Sequence, residues 1–210
     1  MENKKTEEKL KKILTGTIIA GGLIVLGLLL VYAPDGKEIS APAMDNVATP
    51  VSETKTAEMI QREDGIKKEL KGIAFFPEEG RTHVPKDTRV TYKTNPPTSG
   101  FHYDKWLPPS VYEEDKTIPE LLVHNLEHGN VVIYFDRAKL DVKDNETLLM
   151  LTKKHAGQWD GVVLVNKKGM EQPLILTAWR TSLPLKEYDA GKISAFLDAF
   201  LGRGPENPVR

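Results

Sequence analysis

Residues 13–33 carry no charged side chain, and this run divides the chain before any other feature is weighed. In a helix rising 1.5 Å per residue, about 20 apolar residues match the hydrocarbon thickness of a bilayer. No face of the run is polar, which sets it apart from the surface helix of a soluble domain. It also exceeds the roughly 7–15 apolar residues of a signal peptide. A retained anchor is therefore expected rather than a cleaved leader, although Ala41-Pro-Ala43 faintly resembles a cleavage site. Lys4, Lys5, Lys9, Lys11 and Lys12 precede the run, whereas Asp35, Lys37 and Glu38 follow it. Lysines gathered on one flank hold that flank in the cytoplasm. The expected organisation is a cytoplasmic tail at 1–12, a transmembrane helix at 13–33, a flexible tether at 34–56 and one extracytoplasmic globular domain at 57–210. The expected location is the cell membrane, spanned once, with the membrane itself as the first partner.

Composition narrows the chemistry of that domain. The chain has no cysteine, which excludes disulfides, thiolate metal sites, a catalytic cysteine and lipobox lipidation. Any bound metal must use imidazole, carboxylate or thioether ligands. The formal net charge is -1, so no general attraction to nucleic acid is expected. About 150 residues suffice for a hydrophobic core without staples.

Periodicity predicts a mixed set of elements. Met59, Ile60, Ile66 and Leu70 suggest an amphipathic helix from about Ala57, interrupted near Gly65 and stopped by Gly72. Arg89-Val-Thr-Tyr-Lys93 alternates like a strand. Pro119 to His128 reads as a helix ended by Gly129, and Val131–Phe135 as a strand buried on both faces. Asp144 or Asn145 is the expected cap of a helix bearing Leu148, Leu149 and Leu151. Two strands, 161–165 and 173–179, flank Asn166-Lys-Lys-Gly-Met170 in a hairpin-like pattern. Ile193, Phe196, Leu197, Phe200 and Leu201 mark the apolar face of a last helix. Together these give an α+β domain, a small mixed sheet with packed helices.

The chemistry concentrates in His124-Asn-Leu-Glu127-His128. On a helix, residues three and four apart share a face, so two imidazoles and a carboxylate can reach one ion. Pro96-Pro97-Thr98-Ser99-Gly100-Phe-His102 reads as a stiff loop delivering His102, a third ligand, and His83 is the candidate fourth. Met170 is a weaker candidate that would favour copper, and it also reads as a core residue. His155 lies near a helix end and reads as structural. Glu127 can be a carboxylate that orients a ligating histidine, or a general base on metal-bound water.

The combination of His83-Val-Pro, the Pro96-Pro97-Thr98-Ser99-Gly100-x-His102…Trp106 stretch, His124-Asn-Leu-Glu127-His128-Gly129, Thr177-Ala-Trp179 and Gly204-Pro205-Glu206 resembles an uncharacterised prokaryotic family. Its members look like single-pass membrane proteins with an extracytoplasmic domain of unknown function. The resemblance implies location and a shared set of positions, and no activity.

Three functions follow as expectations. The first is metal binding, zinc or copper, through His124, His128, His102 and His83. The second is a metal-free structural or protein-interaction module of the cell envelope. In it, His124 and His128 bond Thr98, Ser99 or main-chain carbonyls of the Pro96-Pro97 loop. The third is a small metallohydrolase, because His124-x-x-Glu127-His128 matches the H-x-x-E-H pattern of inverted zinc proteases. Glu127 is catalytic only there, and Glu187 is the nearest guess for the downstream glutamate ligand. Whether the protein is an enzyme is left open.

Overall fold

The computed structural model describes residues 53–206. The apolar run 13–33 lies outside them, as do the tail before it and most of the tether. No helix among the described residues is long and apolar enough to cross a membrane.

Four α-helices and a six-stranded sheet form an α+β domain. The helices are α1 (Glu53–Glu69), α2 (Pro119–His128), α3 (Val142–Lys154) and α4 (Ala190–Phe200). The strands are β1 (Ala74–Phe75), β2 (Val111–Glu113), β3 (Val131–Phe135), β4 (Val162–Asn166), β5 (Leu174–Ala178) and β6 (Thr181–Leu185). The sheet order is β1-β6-β5-β3-β4-β2. On one side of β3, β4 and β2 run parallel; on the other, β5, β6 and β1 alternate antiparallel.

The expected hairpin between the 161–165 and 173–179 strands does not form, because β3 sits between β4 and β5. All five residues of β4 are buried, so it needs a neighbour on each edge. The true hairpin joins β5 to β6 through Trp179 and Arg180. Nor is 89–93 a strand. Its main-chain donors are taken by side chains: Val90 N–H donates to Glu120 Oε1 at 3.0 Å and Lys93 N–H to Glu79 Oε2 at 2.8 Å. Gly65 does not interrupt α1, since it faces open space and the helix continues through it. Asp141, not Asp144 or Asn145, caps α3, its carboxylate accepting from Asp144 N–H at 2.7 Å.

Alternation along the strands sorts the interior into two layers. Val131, Ile133 and Phe135 of β3, with Val162, Leu164, Leu174, Leu176 and Leu183, form an apolar face. Leu70 after α1, Leu148 on α3 and Phe196 on α4 cover it. Val132, Tyr134, Val163 and Val165 form the opposite face, covered by Leu122 and Leu126 of α2 and by Met170. Met170 is thus core rather than a ligand from a loop. The far side of α2 is buried too, from Leu122 through His128 without a break. What covers it is not a helix or strand but the irregular chain between Glu79 and Leu107.

Candidate metal centre

Three local arrangements bring the site together. The first is α2 itself. Pro119 stands at its first turn, where a missing N–H costs nothing, and Glu120 favours the same end electrostatically. His124, Glu127 and His128 project from the side away from the sheet, and Gly129 ends the helix in the left-handed conformation at φ 97°.

The second is an isolated parallel bridge between His83 and His102. Val84 N–H donates to His102 O at 2.7 Å, and His102 N–H to Thr82 O at 3.3 Å. Residues paired in this way extend their side chains from the same side, which sets the two rings 4.9 Å apart.

The third is a C-terminal strap. Gly202 N–H donates to Gly129 O at 2.8 Å, and Glu206 N–H donates to Glu127 O at 3.2 Å. These bonds satisfy carbonyls at the helix end. The approach requires two glycines, since a Cβ on Gly129 would lie 2.6 Å from Gly204 N, and one on Gly204 would collide with the Glu127 carbonyl. The strap delivers Glu206 to His128, with Oε2 at 3.1 Å from Nε2.

Four side chains meet as a result. One ligand atom from each of His83, His102, His124 and Glu127 lies within 4.8 Å of every other. His102 Nε2 is 2.8 Å from Glu127 Oε2, and His83 Nε2 is 3.6 Å from the same oxygen. His124 stacks on His83 at 5.0 Å and stands edge-on to His102 at 5.1 Å. His128 belongs to an adjoining group with His124 and Glu206, its Nε2 2.9 Å from His124 Nε2. His102, His124 and His128 are buried, whereas the His83 side chain is 45% exposed and opens the group to solvent.

The far ring nitrogens decide the chemistry. His102 Nδ1 lies 2.7 Å from the Gly100 carbonyl and His124 Nδ1 lies 2.6 Å from the Tyr103 carbonyl. A carbonyl only accepts, so the partners assign the proton of each neutral ring to Nδ1 and the lone pair to Nε2. That is how ligating histidines are held, with a main-chain carbonyl in the outer role. Glu127 does not take that role but sits among the imidazoles of the group. On a neutral His102, the Nε2 lone pair faces a carboxylate oxygen, an arrangement of two acceptors. Either a second proton or a cation must lie between them.

Burial, reinforced by the neighbouring His124, lowers the His128 pKa to about 4. The Gln158 backbone opposes this shift, and His128 Nδ1 is buried without a hydrogen-bond partner. Burial also lowers His124, against the pull of the Tyr103 carbonyl. For Glu127, burial acts to raise the carboxyl, but the His102 hydrogen bond and the surrounding imidazoles outweigh it and hold it below its ordinary range. The His124 and His128 shifts favour neutral rings, the form that binds metal, whereas the Glu127 shift belongs to the metal-free cluster in which His102 donates Nε2–H to an ionised carboxylate.

All three tryptophans of the chain line the cluster. Trp106 lies 4.6 Å from His128, Trp159 packs on His128 at 4.1 Å, and Trp179 stands edge-on to His102 at 6.3 Å.

The histidines do not bond Thr98 or Ser99. Thr98 pairs with Thr94, and Ser99 Oγ accepts from Glu79 N–H. Glu187 is in neither group, and the glutamate that lies beside His128 is Glu206. Its only sequence signal was its place in the Gly204-Pro205-Glu206 motif. Trp159 and the Gly100 and Tyr103 carbonyls carried no signal, because backbone acceptors look alike in a sequence.

No curated protein and no solved structure matches the chain. Residues 83–210 match a family described as "Protein of unknown function (DUF3105)", a span that begins at the first histidine of the cluster and includes Glu206. The chain belongs to the DUF3105 family.

Proposed function

We propose that this domain binds one divalent transition-metal ion, zinc or copper, through His83, His102, His124 and Glu127. In this reading it is a module tethered to the cell membrane by residues 13–33 and displayed outside the cytoplasm. The observation that carries the metal assignment is the orientation of His102 and His124. Each donates Nδ1–H to a main-chain carbonyl, and the His102 lone pair meets a carboxylate that a cation would reconcile. Three imidazoles and a carboxylate suit zinc and copper(II), and the absence of sulfur disfavours copper(I). His128 adjoins this set beside His124 Nε2, with Glu206 against His128 in turn.

The test exposes the full-length chain, in detergent, to zinc(II) or copper(II), removes excess metal by gel filtration and measures metal per chain. One ion per chain is expected, lost in the His102→Ala/His124→Ala double variant. Equal binding by that variant refutes the assignment. The membrane placement is tested separately with a reporter that is active only outside the cytoplasm, fused to the C-terminus.

A second reading rests on the same contacts. A doubly protonated His102 satisfies both Gly100 and Glu127, clamping loop to helix without metal. It predicts that His102→Ala destabilises the metal-free protein, while the wild type leaves gel filtration without bound metal. The hydrolase reading is less well supported. Glu127 lies among the ligands, and His128 is grouped with Glu206 rather than with Glu127.

A further inference from the structure

Trp179 also lines a cleft of about 260 Å³. It is assembled from α1, β1, the Glu78–Arg81 loop, the β5–β6 turn, the end of α4 and the strap. Its composition is divided. Met59, Ile66, Phe75 and Phe200 supply apolar surface, while Arg62, Arg81, Arg180 and Arg203 contribute four guanidiniums against the carboxylates of Glu63 and Glu78. Glu78 already takes two hydrogen bonds from Arg81, at 2.7 and 2.8 Å, and one from Trp179 Nε1 at 3.2 Å.

Arg62 and Arg180 are positioned differently. Arg62 Nη2 donates to Ala199 O at 3.0 Å, and Arg180 Nε donates to Phe76 O at 2.8 Å. A neutral carbonyl fixes each guanidinium without cancelling its charge, and each retains further donors in a rigid fork. Arg180 is also held in an unusual backbone state, at φ 59°, where glycine is the ordinary choice. Its N–H donates to Thr98 O at 2.8 Å, and its carbonyl accepts from Phe76 N–H at 2.8 Å. The fold therefore spends three main-chain partners on keeping this arginine at the rim of the cleft.

We infer that the cleft binds a small amphipathic anion, an apolar body carrying a carboxylate or phosphate group. Guanidinium forks match planar and tetrahedral oxyanions through paired charge-assisted hydrogen bonds. The apolar residues would hold the body. The volume falls below the roughly 300–1,000 Å³ of drug-sized ligand sites, so a small molecule fits and a peptide or whole lipid does not. This inference does not depend on the metal reading, because no cleft residue belongs to either ligand group.

The test titrates the full-length chain with hexyl phosphate, hexanoate, inorganic phosphate and hexylammonium, followed by calorimetry and tryptophan fluorescence. Hexyl phosphate and hexanoate should saturate one site, inorganic phosphate should bind more weakly, and hexylammonium should not bind. Arg180→Gln should weaken the anions by about tenfold or more, the scale of one lost charge-assisted hydrogen bond. Arg62→Glu should do the same from an exposed helix position that leaves the fold intact by circular dichroism. The His102→Ala/His124→Ala variant should bind the anions as the wild type does. Equal binding of hexylammonium, unchanged affinity in Arg62→Glu, or loss of anion binding in the histidine variant would each overturn the inference, as would failure of both anions to saturate.

Discussion

The two faces of the sheet are held by different physics. The face of Val131, Ile133 and Phe135 is covered by three helices and is dominated by apolar side chains, with Thr152 and Thr181 the buried polar residues beside them. Its stability scales with buried area and tolerates no voids. The other face is covered by one helix, α2, together with Met170, and α2 is buried in turn beneath irregular chain. That outer layer is stitched by polar groups. Asn125 accepts from Leu107 N–H at 3.0 Å and donates to Leu107 O at 2.7 Å. Glu120 accepts from Val90 N–H, Glu79 from Lys93 N–H, and Ser99 from Glu79 N–H. Irregular backbone cannot satisfy itself as a sheet or helix does, so burying it requires side-chain partners. The histidine cluster lies inside this layer. A site that must hold exact ring orientations gains from main-chain carbonyls that do not form a ladder, and only the irregular layer supplies them.

This contrast can be broken from either side. The largest effect is expected on the apolar face. Phe135→Ala, at a fully buried position, should cost about 3–5 kcal/mol in denaturant unfolding. Metal bound per folded chain should stay the same. A loss of metal binding by the folded fraction would show that the faces are coupled.

Acid should act on the polar face. Folded His128 has a pKa of about 4 against an ordinary 6.5, so above 6.5 neither state is protonated and its stability contribution is complete. As pH falls below 6.5, the unfolded chain takes up the proton first, and stability declines until the folded ring titrates near 4. The loss from this residue in the metal-free protein is at most about 3 kcal/mol. His124 and Glu127, both lowered on folding, shift stability in the same direction. In His124→Ala/His128→Ala the decline should be shallower, as read from unfolding midpoints across pH.

Asn125→Ala leaves a partly buried main-chain donor and acceptor of Leu107 without their partner, at a cost of about 1–2 kcal/mol. It should also increase amide hydrogen exchange in the 103–107 segment more than in β3 or β4. The smallest effect is expected from Asp141→Ala, which removes the α3 cap for about 1 kcal/mol and should leave the histidine cluster unchanged. Altered metal affinity in that variant would contradict the separation of the two faces.

Much of the apolar face was legible. Val131–Phe135, the α4 pattern from Ile193 to Phe200, and α2 with its Gly129 stop follow from periodicity and capping, which are local rules. The strand at 89–93 was misread because alternation cannot tell a sheet ladder from backbone bonded by Glu79 and Glu120. The β4–β5 hairpin was misread because a plausible turn does not reveal that β3 is inserted between two strands that follow it in sequence. Glu206 was visible as part of a motif but not as a partner of His128, because the strap that brings it there depends on a Gly129–Gly204 approach across the fold.

By itself the sequence determined the ingredients: no sulfur for a thiolate site, three titratable side chains on one side of α2, and two further histidines on separate loops. Those follow from residue identity and from the 3.6-residue period. Only the tertiary structure decided the grouping. It paired His83 with His102 across a parallel bridge, placed Glu127 among the imidazoles, moved His128 to Glu206, and turned the lone pairs of His102 and His124 by giving each Nδ1 a carbonyl. Such choices depend on distances between segments far apart in the chain, and on backbone acceptors that every residue carries alike.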